Sequence, residues 1–233
     1  MKTLRWIMTG LLLTGSLLFG QEKALSPDLS SIADGAKWRI VNRQAVACED
    51  AGRTAVCIDE RPGDGIVWLN GFEFSDGVIE VDLKGRNVNQ KSFLGLAFHG
   101  VDDTTYEAVY FRPFNFKSGD AVRRSHAVQY ISQPEYTWSR LREEKPGFFE
   151  NALDPAPDPD GWFHVKVELS GRAVSVFVNG VKDPCLKVDR LTDRATGAIG
   201  FWAGNGSDGK FANLTIKSPT AGSGEKPILC PPP

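Results

Sequence analysis

This sequence is poor in several features that particular functions require. It has three histidines, four cysteines and a formal net charge of -2 in 233 residues, and it shows no long amphipathic helix and no internal repeat. A near-neutral charge gives no electrostatic attraction to nucleic acid or to anionic membranes. His99, His126 and His164 lack metal-ligand spacing, and no G-x-S-x-G nucleophile motif occurs. We therefore expect no metal, no cofactor and no nucleic-acid partner.

An export signal is predicted over residues 1–20. Lys2 and Arg5 form a charged start, and residues 6–19 form an apolar segment that is too short to span a bilayer. Gly20 supplies a small residue before the expected cleavage point, and no cysteine follows it, which argues against a bacterial lipid anchor. The mature protein is expected to be secreted or periplasmic, without membrane insertion. A retained single-pass anchor is the alternative.

Export makes disulfide bonds possible for the four cysteines. Cys48 and Cys57 flank a hairpin turn at Ala51–Gly52, so the two side chains are expected to face each other across the hairpin and to form a bridge. Cys185 would then pair with Cys230 and tie the C-terminal tail to the body. The alternative of a free thiol stays open for Cys230.

Most of the chain shows the pattern of short antiparallel strands. Residues 78–84 alternate strictly between apolar and charged side chains, and Asn-Gly at 179–180 is a hairpin signal. We predict an all-β, two-sheet antiparallel sandwich. The predicted organisation is a signal peptide at 1–20, a polar irregular lead at 21–35, one domain at 36–217 and a Pro/Gly-rich tail at 218–233. The main predicted strands are 37–43, 66–70, 78–84, 93–99, 105–112, 126–132, 162–170, 172–178, 197–203 and 211–217.

Three segments carry a resemblance to a known superfamily. They are FEFSDGVIEVDLKG, AVSVFVNG and GAIGFWAGNGSDGKFANLTI. The chain resembles the concanavalin A-like lectin/glucanase superfamily in its laminin-G-like branch, and within it the bacterial 3-keto-disaccharide hydrolase domain group, over residues 36–217. The resemblance implies a jelly roll whose concave sheet takes an extended glycan, and it implies cleavage of a glycosidic bond.

The resemblance also supplies a candidate catalytic residue. Tyr106 and Glu107 begin a segment similar to the Y-E-x-Q strand of the hydrolase group, although Val109 stands at the Gln position. We expect Glu107 to act as a general acid or base on the concave floor, assisted by His126, since burial raises the pKa of a carboxyl. The alternative for Glu107 is a structural ion pair.

The candidate sugar-binding residues lie in the same densely polar and aromatic stretch, 93–138. Loop aromatics can stack on sugar rings and arginine can donate forked hydrogen bonds. Glu107 and Arg112 are five apart and therefore point to opposite faces of a regular strand, so either a bulge turns Arg112 inward or Arg123 or Arg124 replaces it. Glu107 and Gln129 are expected to share the concave floor. The predicted substrate-binding residues are His99, Arg112, Gln129, Tyr136 and Trp138.

A pair of carboxylates elsewhere in the sequence is a weaker candidate for a catalytic site. Glu80 and Asp82 are similar to the first part of the E-x-D-x-x-E pattern of family 16 glycoside hydrolases, but Gly85 occupies the place of the second Glu. We interpret this face, which also carries Lys84, as a solvated strand face. The overall prediction is a saccharide-acting protein, with a non-catalytic carbohydrate-binding module or an envelope adhesion protein as the alternatives. The oligomeric state is left open.

Overall fold

The structure is a computed structural model that describes residues 23–218, and it consists of strands with only short helices. The helices are a 3-10 turn at Leu29–Ser31, α1 at Pro113–Phe116, α2 at Ala121–Arg124 and α3 at Trp138–Glu144. None of the helices within 23–218 is long and apolar enough to cross a membrane. The strands are β1 Lys23–Leu25, β2 Trp38–Val41, β3 Ala45–Asp50, β4 Arg53–Ile58, β5 Gly65–Leu69, β6 Gly77–Lys84, β7 Leu94–Gly100, β8 Tyr106–Phe111, β9 Val128–Gln133, β10 Glu150–Asn151, β11 Trp162–Ser170, β12 Ala173–Val178, β13 Leu186–Asp189, β14 Ala198–Ala203 and β15 Gly209–Ser218.

The strands form two antiparallel sheets packed face to face. The eight-stranded sheet has the order β13-β12-β11-β6-β15-β4-β3, with β1 also paired to β15. The seven-stranded sheet has the order β10-β9-β8-β7-β14-β5-β2. Consecutive strands pair in parts of both sheets, whereas the pairs β6–β11, β6–β15, β4–β15, β7–β14, β5–β14 and β2–β5 join strands that are not consecutive in the chain, as in a jelly roll. The predicted all-β sandwich is confirmed.

The core lies between the sheets and is strongly aromatic. Phe111 of β8 meets Phe163 of β11 with ring centroids 5.3 Å apart, and Phe201 of β14 stacks on Phe211 of β15 at 4.6 Å. Strict alternation in β6 and β11 supplies one apolar face per strand. By contrast, β7 and β8 are buried along their whole length. The seven-stranded sheet is therefore covered on its outer face as well as its inner face.

The N-terminal lead is part of the sandwich rather than an irregular approach to it. The strand β1 pairs with β15, and Leu29 and Ile32 are buried in the core. Asp28 caps the intervening 3-10 turn by accepting a hydrogen bond from the Ser30 amide. Leu29 and Ile32 are three residues apart on this turn, so both side chains point into the core. The expectation of irregular structure at residues 21–35 is therefore wrong for the described part of this segment, which begins at residue 23. The predicted signal peptide lies outside the described residues, as does the tail after Ser218.

The first predicted disulfide bond is confirmed between Cys48 and Cys57, with Cα atoms 6.0 Å apart. The hairpin register pairs Cys48 with Ala55 and Val46 with Cys57. The bridge therefore joins diagonal neighbours rather than directly opposed residues, as the longer arm after the turn requires. Cys185 has no disulfide partner within residues 23–218, and burial raises the pKa of its thiol to about 12. Its predicted partner, Cys230, lies outside the described residues.

Removing the disulfide bond is expected to lower the free energy of unfolding by about 2–3 kcal/mol, because a short closed loop restricts the unfolded chain. The Cys48→Ala/Cys57→Ala double variant should show this loss in urea denaturation. In reductant, the parent protein and the variant should have the same stability, since the Cys48–Cys57 bond is then absent from both. Coinciding denaturation curves for oxidised parent and variant would contradict the expectation.

Candidate functional site

A cleft of about 710 Å³ lies on the outer face of the seven-stranded sheet. Strands β8, β9 and β14 contribute its floor. Five connections contribute to its walls: β4 to β5, β6 to β7, β8 to β9 with α1 and α2, β9 to β10 with α3, and β14 to β15. The described lining residues are Asp64, Asn89, Gln90, Phe93, Tyr110, Arg112, Phe114, Asn115, Arg123, His126, Ile131, Gln133, Thr137, Trp138, Ser139, Arg142, Trp202, Gly204 and Asn205.

The floor of the cleft is aromatic. The rings of Tyr110 and Trp202 lie 4.8 Å apart, and Phe93 packs at 6.3 Å from Tyr110. A methyl group on Gly95, the cross-strand partner of Tyr110, would lie 2.8 Å from the Tyr110 Cβ, so glycine is required beneath this ring. Burial raises the pKa of Tyr110 to about 12, which keeps its hydroxyl protonated as a hydrogen-bond donor.

Arg112 fixes the centre of the cleft. Its guanidinium donates to the backbone oxygen of His126 at 2.8 Å, to the Tyr110 hydroxyl at 2.5 Å and to the Gln129 side-chain oxygen. It also lies 4.8 Å above the Tyr110 ring centroid. Burial lowers the pKa of Arg112, and the nearby Tyr110 opposes this shift. These hydrogen-bond acceptors are neutral, and the carboxylate that faces the Arg112 charge is that of Glu150, 3.9 Å from Nη1.

A buried carboxylate, Glu150 of β10, supports this arrangement from below. Arg142 donates two hydrogen bonds to this carboxylate, from Nε to Oε1 at 3.0 Å and from Nη2 to Oε2 at 2.6 Å. The His126 Nδ1 lies 2.8 Å from Oε2 and the Arg112 Nη1 lies 3.9 Å from it. Burial lowers the pKa of His126, while Glu150 opposes this by favouring the charged ring. Glu150 is thus an anchor for three cationic or titratable side chains.

Trp138 overhangs the cleft from the first turn of α3, with about half of its surface (49%) exposed. Thr137 caps this helix by accepting from the Arg140 amide, and the Arg142 guanidinium lies 5.2 Å from the Trp138 ring. Gln129 donates to the Trp138 backbone oxygen at 3.3 Å. The structure therefore places Trp138, Arg112 and His126 together at the cleft, the region in which the sequence predicted a ligand site, whereas Gln129 is fully buried and does not line the cleft.

Asp64 borders the cleft beside β5. The Tyr106 hydroxyl faces its carboxylate at 3.5 Å and itself accepts a hydrogen bond from the Trp202 ring nitrogen at 3.1 Å. Although Asp64 keeps some contact with solvent, the surrounding protein raises its pKa through desolvation, and Arg43 opposes this. Asp64 is the only acidic residue among the described residues that line the cleft.

Glu107 is not in the cleft, so the predicted shared floor of Glu107 and Gln129 is wrong. Glu107 points between the sheets, is fully buried, and accepts hydrogen bonds from the Tyr130 hydroxyl at 2.7 Å and from the Thr192 hydroxyl at 3.0 Å. Strand alternation explains the error: β9 pairs Gln129 with Tyr110 on the outer face, whereas Glu107 has the parity of the inner face. Arg112 needs no bulge, because its parity already places it outside.

His99 and Tyr136 also lie away from the cleft. A bulge, in which Phe98 and His99 oppose a single residue of β14, turns the His99 side chain toward the interior, with φ at +48°. His99 Nε2 bonds to the Ser75 backbone oxygen at 2.9 Å, and its Nδ1 accepts from Arg190 at 3.1 Å. Tyr136 packs against the core beneath Arg140, 5.0 Å from the guanidinium carbon. Neither residue lines the cleft.

The pair Glu80 and Asp82 lies on the outer face of the opposite sheet, as the solvated-face interpretation required. Lys217 pairs with Glu80 at 3.1 Å, and Asn213 and His164 reach the two Asp82 oxygens at 2.7 and 2.8 Å. These carboxylates take part in surface ion pairs on the side of the sandwich away from the cleft.

Sequence reasoning missed much of the site. Tyr110 could have been found, because it lies two residues before Arg112 and therefore shares its face. Glu150 had no such signal, since its two-residue strand shows no alternation. Asp64, Phe93 and Trp202 were also missed.

This two-sheet antiparallel sandwich is a jelly-roll fold, and solved structures share it. The chain is similar to the carbohydrate-binding module CBM66 from Bacillus subtilis (13% identity, TM-score 0.55, covering 78% of this chain and 96% of the module). It is also similar to a Bacillus subtilis protein of unknown function with a galectin-like fold (16%, 0.55, 85% and 97%) and to the lumenal domain of VIP36 (14%, 0.52, 82% and 89%). Neither a family model nor a curated protein sequence matches this chain. At these identities the likeness establishes the fold alone.

Proposed function

We propose that this protein binds a saccharide in the cleft. The observation that carries the proposal is the combination of an aromatic floor, an overhanging half-exposed Trp138 and the Arg112 guanidinium, which is held in a fixed orientation by the Tyr110 hydroxyl and the Gln129 side chain. The C–H faces of a sugar ring stack on aromatic rings, and its hydroxyls accept forked hydrogen bonds from guanidinium groups. A volume of about 710 Å³ suits a short oligosaccharide segment.

Two of the structural neighbours support this proposal. CBM66 is described as a carbohydrate-binding module, and VIP36 is described in a form bound to calcium and Man3GlcNAc. Those ligands are stated for those proteins only, so the proposal for this chain depends on the chemistry of its own cleft. The aromatic and guanidinium groups of the cleft support the proposal, because both are suited to polar ring compounds.

Binding is better supported than cleavage. A classical glycosidase needs two carboxyl groups flanking the scissile bond. Glu107 lies in the core, and Glu150 is engaged by Arg142 and His126. Hydrolysis of the 3-keto-disaccharide type is the second candidate, and the observation in its favour is Asp64, whose raised pKa suits a general acid.

We also infer that the protein acts outside the cytoplasm, as its predicted signal implies. The Cys48–Cys57 bond supports this, because disulfides persist in oxidising compartments. An exported location is where a chain would meet glycans of an envelope or the surroundings.

The test is a glycan array with the mature protein, followed by titration of Trp138→Ala. We expect the parent protein to bind a subset of glycans and the variant to bind them about tenfold more weakly, since an aromatic contact contributes about 0.5–1.5 kcal/mol beyond burial. Phe148→Ala is the matched control, because Phe148 is exposed and does not line the cleft. Release of reducing ends from a bound glycan would favour the second candidate, and no binding to any glycan would refute the proposal.

A further inference from the structure

One side of the cleft is rich in arginine. Arg112, Arg123 and Arg142 line it on the β8–β9 side, whereas Asp64 lies beside β5. Glu150 is the one acidic side chain of the described chain that is bonded within this arginine cluster, and Arg142, Arg112 and His126 share its charge. The wall therefore carries more positive charge than its single carboxylate balances.

Arg123 is the arginine with the least compensation. Its Nη2 donates to the Asn89 side-chain oxygen at 2.7 Å and its Nε to the Asn115 side-chain oxygen at 3.3 Å. Both partners are neutral amides, which hold the guanidinium in place without cancelling its charge. No acidic side chain within 23–218 lies in salt-bridge range of Arg123.

The positive wall continues into a smaller adjoining cavity of about 300 Å³. This cavity shares Asn89, Phe114 and Arg123 with the cleft and adds Lys117. Arg123 thus stands where the two cavities meet, and it is available to a ligand from either side. Lys117, like Arg123, forms no ion pair with a carboxylate of the described residues.

We propose that the saccharide recognised here is anionic, carrying a carboxylate or a sulfate, and that Arg123 receives the anionic group at the junction of the two cavities. This inference rests on the proposed saccharide binding and specifies its ligand class. A planar guanidinium matches the geometry of carboxylate and sulfate oxygens with two parallel hydrogen bonds. Asn89 and Asn115 preorient the guanidinium, so little side-chain freedom is lost on binding.

The experiment compares matched oligosaccharides of equal length and linkage: a neutral galactose oligomer, its galacturonate counterpart and a sulfated form. We expect one anionic form to bind at least tenfold more tightly than the neutral form, with affinity falling as salt rises. Arg123→Gln should remove that preference, so that the anionic and neutral forms bind this variant with affinities within about twofold of each other. Arg123→Lys should keep the salt dependence and bind more weakly, since a lysine lacks the planar fork.

Arg140→Gln is the matched control, because Arg140 lies on the same helix as Arg142, pairs with Glu144 and Glu135, and does not line the cleft. It should leave every affinity unchanged. Equal binding of neutral and anionic forms, or an intact preference in Arg123→Gln, would overturn the inference while the proposed saccharide binding stands. Binding of no oligosaccharide on a broad panel would overturn both.

Discussion

Replacing Glu107 with alanine is expected to lower the free energy of unfolding by about 3–5 kcal/mol, because buried hydrogen-bond donors lose their acceptor and a cavity forms. The hydroxyls of Tyr130 and Thr192 both donate to this carboxylate inside the sandwich. Urea denaturation measures the loss. The folded fraction should bind the saccharide with unchanged affinity, since Glu107 points away from the cleft.

The conservative variant Glu107→Gln separates a structural role from a catalytic one. The amide keeps one acceptor oxygen and the side-chain volume, so we expect a smaller loss of stability, about 1–2 kcal/mol. If Glu107→Gln kept full stability and saccharide affinity but abolished a measured hydrolysis, Glu107 would have a catalytic role and the purely structural role would be contradicted.

The second large effect is expected at Glu150. Its removal in Glu150→Ala leaves Arg112 and Arg142 close together without their shared carboxylate, and breaking such a buried pair costs about 3–5 kcal/mol. We expect the lower end of this range, about 3 kcal/mol, because Arg142 is about one-third exposed (32%) and water screens it in part. Thermal or urea unfolding would measure the change.

The same variant should weaken saccharide binding by at least tenfold, since His126, Arg142 and the stacked Trp138 lose their common support. Glu144→Ala is the matched control: Glu144 pairs with Arg140 on the exposed side of α3, and its loss should change stability by less than about 1 kcal/mol. Similar stability losses in the two variants would show that Glu150 is not an internal anchor.

The sequence predicted most of the fold because strand alternation and turn residues are local signals. The predicted strand at 78–84 is β6, and the predicted strand at 162–170 is β11. The strands β1, β10 and β13 were missed, since each has two to four residues and depends on pairing with a distant partner. Such pairing is a tertiary property that a local pattern does not contain.

The site was predicted less well, because the sequence did not show which face of each strand points away from the other sheet. Alternation correctly set Glu107 and Arg112 on opposite faces, but it could not say which face met the other sheet. The resemblance favoured Glu107, and the structure gives the outer face to Tyr110 and Arg112. The His99 side chain points inward for a different reason, because a bulge reverses its direction.

The cleft has a floor on strands and walls on connections, and this division has a consequence for evolution and engineering. A side chain at the strand residue Gly95 would collide with Val109 and Tyr110 of the neighbouring strand, whereas residues 86–91 and 117–125 lie in connections that can change length without altering the strand pairing. Libraries confined to these two connections, with the strands held constant, should yield new glycan specificities at little loss of solubility or expression.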